Sequence, residues 1–108
     1  MEYELNGVNL IVHLPGELDH HSVRTLPQDI ELLFGEYEIR RIIFDFSAVT
    51  FMDSSGIGAV LGRCKRMCER DGDITLYGMN RRTRKLLEMA GVGKLAAMYE
   101  KKEEALKR

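Results

Sequence analysis

The chain lacks any apolar run approaching the roughly 18 residues that a membrane span needs, so a spanning helix is excluded. It lacks an excess of either charge. Sixteen Lys and Arg face 17 Asp and Glu, and the resulting net charge of −1 supplies no overall electrostatic drive toward nucleic acid or an anionic membrane. The N-terminus, Met1-Glu2-Tyr3-Glu4, is acidic and has no apolar stretch of the signal-peptide kind, so a cytosolic setting is expected. Cysteine is scarce too. Cys64 and Cys68 stand four apart on one face of a predicted helix, where a disulfide does not fit, and no second pair completes a zinc set. Both are expected to be small core residues, and neither a metal nor a cofactor is expected. No internal repeat or low-complexity segment is present, and 108 residues bound one domain spanning the whole chain, 1–108. With 44% hydrophobic and 31% charged residues, it reads as an ordinary globular domain.

What is there centres on Phe51-Met52-Asp53-Ser54-Ser55-Gly56-Ile57-Gly58. This stretch joins a run with the character of a buried strand, Arg41 to Phe46, to an amphipathic helix continuing to about Arg70. Two hydroxyls and a carboxylate thus fall at a helix N-terminus just past the end of a strand, where open α/β sheets place functional groups.

The flanking chain supplies the remaining elements. Tyr3–Leu5 and Asn9–Leu14 bracket Asn6-Gly7, a hairpin signal. Pro15-Gly16 ends the second strand. A helix with Val23, Leu26, Ile30, Leu33 and Phe34 on one face follows, with Asp19 or Ser22 as candidate N-caps and Gly35 as candidate C-cap. Pro27 is awkward inside it, so the helix either starts late or kinks. Ile42, Phe44 and Phe46 on one face and Ile43 on the other make 41–46 a central parallel strand. In the next helix Ile57, Val60, Leu61, Cys64, Met67 and Cys68 form an apolar stripe, with Arg63 and Arg66 among the solvated faces. Gly56, Gly58 and Gly62 in its first half imply a close approach to that backbone, by the sheet or by a partner. Asp73–Tyr77 is predicted to be a strand, Arg81–Ala90 a helix with a basic start and Gly91 after it, Leu95–Tyr99 a short strand, and Lys101–Arg108 a terminal helix. The order predicts an α/β fold with a mixed sheet and helices packed against it.

A serine ahead of a helix has an ordinary use as an N-cap. The same hydroxyl, placed at a positive dipole end with free N–H groups, is also a good phosphoryl acceptor. A nucleophilic hydrolase serine is a third reading. It needs a base, for which His13, His20 and His21 are the candidates, and the Gly-x-Ser-x-Gly elbow is absent.

The loop motif, the following Leu61-Gly62-Arg63, the upstream Gly16-Glu17-Leu18-Asp19-His20-His21 and the late Met89-Ala90-Gly91-Val92 together resemble the anti-anti-sigma factors of the STAS domain family, the sporulation antagonists above all. The resemblance covers essentially the whole chain. It implies a STAS-like sheet of four or five strands, mixed in direction, with helices mainly on one side. It implies no enzyme but a switch: the unphosphorylated form binds an anti-sigma factor that is also a serine kinase with an ATP site, and so releases a sigma factor for transcription. Phosphorylation of Ser54 turns the switch off and a serine phosphatase restores it. The implied partner surface takes in the loop of Asp19, His20 and His21 beside the Ser54 loop with Asp53, Ser55 and Ile57; from the residues themselves, Gly56 and Gly58 would let a partner approach closely and Arg63 could reach its carboxylates, and the domain is expected to be a monomer when free. A ligand-sensing or scaffold STAS domain of a stress-signalling or transporter-associated assembly is the alternative.

Overall fold

The computed structural model describes residues 1–107. Strands β1 (Glu2–Asn6) and β2 (Asn9–His13) form the expected hairpin, paired antiparallel with Asn6 opposite Asn9. The two-residue loop is therefore Gly7-Val8, one position later than the Asn-Gly pair suggests. Gly7 takes φ 62° at the first central position, which is where a II′ turn needs glycine.

After β2 the chain makes a two-residue strand β3 (Glu17–Leu18) and a series of turns before α1 (Leu26–Glu36). Pro27 thereby falls in the first turn of α1, where its missing N–H costs nothing. This late start corrects the expected caps. Asp19 and Ser22 do not cap α1 but bond each other, Ser22 N–H to Asp19 Oδ1 at 2.9 Å and Asp19 N–H to Ser22 Oγ at 3.0 Å. Thr25 precedes the helix without a side-chain cap. Gly35 does not end α1 either, because the helix runs through it to Glu36 and the Tyr37 N–H closes it on Leu33 O at 2.9 Å.

Strand β4 (Arg41–Asp45), the short β5 (Phe51–Met52), α2 (Ser54–Glu69), β6 (Asp73–Tyr77), α3 (Arg81–Met89), a 3-10 turn at Val92–Lys94, β7 (Ala97–Tyr99) and α4 (Lys102–Leu106) complete the order. The expected terminal helix included Arg108, which lies outside the described residues. The main sheet has five strands in the order β1-β2-β4-β6-β7, with β1 antiparallel and the rest parallel; β3 and β5 pair separately, in parallel.

The register sorts the faces. Leu10, Ile42 and Ile74 lie abreast, as do Val12, Phe44 and Leu76, and both rows are buried with Leu26 and Ile30 of α1, Val60, Cys64 and Met67 of α2 and Leu87 of α3. The alternate residues Ile11, Ile43 and Tyr77 face the other way, where Ala105 of α4 covers them and Thr75 Oγ1 donates to Ala105 O at 3.2 Å. Three helices on one side and a short one on the other agree with the expected layering. Among the described residues no helix is long and apolar enough to cross a membrane.

The buried face of α2 is Gly56, Val60, Arg63, Cys64 and Met67, which corrects two expectations. Cys68 is exposed rather than in the core, and Arg63 is turned inward rather than solvated. Arg63 is drawn in by α1: Glu31 Oε2 accepts from Arg63 Nη1 at 2.8 Å, while its other oxygen takes the exposed Arg70 Nη2 at 2.6 Å.

The two thiols are expected to differ in reactivity. Burial, reinforced by nearby Cys68, pushes the Cys64 thiol up to about 12. The thiolate is the nucleophile, so iodoacetamide at mildly alkaline pH should add one adduct, on Cys68. Denaturant should release the second, and rapid native labelling of Cys64 would contradict this packing.

Candidate functional site

The site is built by two connections that leave the C-terminal ends of β2 and β4. From β4 the chain turns at Phe46–Val49 (Val49 N–H to Phe46 O, 2.9 Å), after which the N–H groups of Thr50 and Phe51 both reach Gly16 O, at 2.8 and 3.2 Å. This starts β5 alongside β3, with Glu17 opposite Phe51 and Leu18 opposite Met52. Alternation then decides the side chains: Leu18 and Met52 point into the core, and Phe51 stays 51% exposed. The Asp53 N–H bonds Leu18 O at 3.2 Å, and the next residue begins α2.

At the start of α2 the cap belongs to the carboxylate. Asp53, extended at φ −101°, accepts the Gly56 N–H on Oδ1 at 3.0 Å, and its carbonyl takes the Ile57 N–H at 3.0 Å. Ser54 is thus the first helical residue, with an exposed side chain, and Ser55 the second, half-buried. Among the described residues neither hydroxyl makes a side-chain hydrogen bond, so the ordinary capping role does not occupy them. Because Asp53 already satisfies one helical N–H, the Ser54 hydroxyl is left unbonded at the dipole's positive end.

The glycines divide by what surrounds them. A Cβ on Gly56 would stand 2.2 Å from Leu18 O, so the close approach at Gly56 is made by β3 of the same chain. Gly56 is buried and offers no surface of its own, a correction to its place in the expected partner surface. A Cβ on Gly58 or Gly62 would meet nothing within 4 Å. Gly58 is exposed and Ile57 half-buried.

Leu18 is held against the first turn of α2, and Asp19, His20 and His21 follow it in the chain. Both histidines are exposed and Asp19 is partly so. Bonding from the Ser22 amide, with help from the Ser22 hydroxyl and His21, holds the Asp19 carboxyl below its usual range, so the loop carries a carboxylate at neutral pH. Arg63 stands apart from this group, paired to Glu31 between α1 and α2.

The hydrolase arrangement is not assembled. Among the described residues no hydrogen bond joins either serine to a histidine, and His13 is engaged by Glu4 and Asp45 instead. Two features of the site have no signal in the sequence: the exposure of Phe51, which follows from the β3–β5 pairing, and the tether from Asn80 Nδ2 to Val49 O, 3.2 Å.

The STAS domain family matches residues 1–105. The chain belongs to the STAS domain family. An anti-sigma F factor antagonist from Paenibacillus polymyxa is 33% identical over 106 residues, spanning 98% of this chain and 91% of that protein. Among solved structures, the Bacillus cell fate determinant SpoIIAA in its phosphorylated form superposes with a TM-score of 0.79 at 32% identity, covering 99% of this chain and 96% of that one. The anti-sigma factor antagonist SpoIIAA in its unphosphorylated form gives a TM-score of 0.77 at 30% identity, covering 95% and 90%. The five-stranded mixed sheet is therefore the STAS sheet.

Proposed function

We propose that this STAS chain is an anti-sigma factor antagonist whose activity is switched by phosphorylation of Ser54. The observation that carries the reading is the division of labour at α2: Asp53 caps the helix and leaves an exposed, unbonded serine hydroxyl one residue further on. The names of its relatives support the same assignment. In the unmodified state the surface of Asp19, His20, His21, Asp53, Ser55, Ile57 and Gly58 binds a cognate anti-sigma factor and so frees a sigma factor. That partner is also the serine kinase. It moves the γ-phosphoryl of ATP onto Ser54 Oγ, whose proton passes to a base of the kinase, and ADP leaves. A serine phosphatase hydrolyses the ester and resets the switch. The chain itself acts as substrate and ligand, as a monomer in the cytoplasm.

The physical basis is local. The modification adds about −1.5 to −2 charges at one point, beside the Asp53 and Asp19 carboxylates, and leaves the buried packing untouched. The test is incubation with the cognate anti-sigma kinase and ATP. A single-phosphate mass increase is expected, located at Ser54 by fragmentation and absent from Ser54→Ala. An undiminished mass increase in Ser54→Ala would move the acceptor elsewhere.

A further inference from the structure

On the face of the sheet opposite α1 to α3, His13 at the end of β2 sits between two carboxylates. Its Nδ1 is 2.6 Å from Asp45 Oδ2 on β4 and its Nε2 is 2.9 Å from Glu4 Oε1 on β1. An ionised carboxylate can only accept, so satisfying both contacts requires both ring nitrogens to donate, and the ring is then an imidazolium. The other oxygen of Asp45 receives the Ser47 N–H at 2.9 Å and the Ser47 hydroxyl at 2.5 Å.

These bonds lie at the roots of the candidate surface. His13 leads directly through Leu14, whose N–H bonds Asp45 O at 3.1 Å, to Gly16 and β3. Asp45 leads through the anchored Ser47 to Thr50 and Phe51, which both bond Gly16 O. We propose that His13 is a positioning residue for the Ser54 surface: clasped as an imidazolium between Glu4 and Asp45, it fixes the two connections from which the β3–β5 ledge is built. The inference rests on the function proposed above.

The surrounding groups determine its pH dependence. Facing the ring are Glu4 and, opposite it in register, Glu2 from β1, and Asp45 from β4; Tyr77 of β6 meets Asp45, while Lys102 and Glu103 of α4 lie near Glu4 and Tyr77. The Glu4 bond, opposed by partial burial and reinforced by Asp45, holds the His13 imidazolium above the usual histidine range. His13 bonding holds Glu4 below the usual carboxylate range. Partial burial pushes Asp45 up, but the Ser47 and His13 bonds outweigh it and leave Asp45 low as well. Burial, then the Asp45 charge, keeps Tyr77 neutral well past its usual range. With the histidine raised, its contribution is complete below the unfolded-state value and is lost as pH rises through the raised folded-state value. The carboxylate contributions run the other way and fail only at acid pH. The clasp is closed between these limits and opens on the alkaline side, where a neutral ring can donate to only one carboxylate.

The experiment is NMR of the full chain, titrated from the ordinary histidine range upward until the His13 ring is neutral, paired with binding of the cognate anti-sigma factor at the same pH values. The His13 ring should titrate late, and the amides of Gly16, Leu18, Ser47 and Phe51 should move with its midpoint. Affinity should fall about tenfold across that transition, as loss of one charge-assisted bond allows. Glu4→Gln should keep the fold and lower the midpoint, and His13→Gln should bind weakly with that pH step removed. Loop amides indifferent to the ring titration, or His13→Gln with the wild-type affinity and pH profile, would overturn the clasp. Failure of the wild type to bind at the acid end, with the amides still following the ring, would instead overturn the functional reading.

Discussion

Gly56→Ala is expected to destabilise the domain by about 3 kcal/mol, the upper range for overpacking a rigid site, lowering Tm by roughly 12–20 °C. The added methyl would lie 2.2 Å from Leu18 O and 3.0 Å from its carbonyl carbon, with Leu18 Cγ at 3.1 Å. These are mainly backbone atoms, and they cannot retreat freely. Leu18 O accepts the Asp53 N–H at 3.2 Å, and Leu18 itself is fully buried and paired to Met52 across β3–β5. Relief must therefore come from separating β3 from α2, which carries Asp19, His20 and His21 away from Ser54. Partner binding should fall with stability. Gly58→Ala, two residues along the same helix, meets open space and should stabilise the domain by about 0.4–1 kcal/mol, because alanine loses less backbone entropy on folding. Urea unfolding of the two variants side by side checks the pair. Equal stabilities would mean that β3 does not press on α2 at Gly56.

The contrast between these glycines marks how far the sequence could be read. Strands β4 and β6 were legible because β-branched and aromatic runs end at turn residues, and the start of α2 because Asp-Ser-Ser-Gly precedes an amphipathic run. The position of Ser54 was legible for the same reason. Which group caps the helix was not, since Asp53 and both serines are all competent caps and only backbone geometry assigns the bond to Asp53. Gly56, Gly58 and Gly62 signalled a close approach without saying by what, and only Gly56 has a neighbour. The β3–β5 pair was invisible because two-residue strands show no period, and its partners lie 34 residues apart. Hydropathy assigns charge outward and sulfur inward, whereas Glu31 on another helix draws Arg63 in and Cys68 faces out. For Gly56, the β3–β5 pair and Arg63, a contact from a distant element decided the outcome.

Ser54→Asp should have opposite effects on folding and on binding, and that opposition isolates the switch. A carboxylate at the first position of a 16-residue helix meets the positive dipole end and free N–H groups, so stability should rise by about 0.3–1 kcal/mol. Affinity for the cognate anti-sigma factor should drop about a hundredfold, roughly 2.7 kcal/mol. The added charge must be desolvated on docking, and it faces whatever acidic groups of the partner the neutral hydroxyl tolerated. Ser54→Ala, which removes the hydroxyl without adding charge, should bind within a few-fold of wild type. Raising the salt concentration should recover part of the Ser54→Asp deficit by screening the repulsion and none of the desolvation cost. Phosphoserine, with about twice the charge of aspartate, should bind more weakly still. Calorimetric titration of the three proteins at two ionic strengths, together with their thermal unfolding, measures each quantity. A Ser54→Asp protein that is more stable yet binds as tightly as wild type would show that charge at this helix start does not control docking; one that is less stable would mean that Ser54 does not lie at an accessible helix N-terminus.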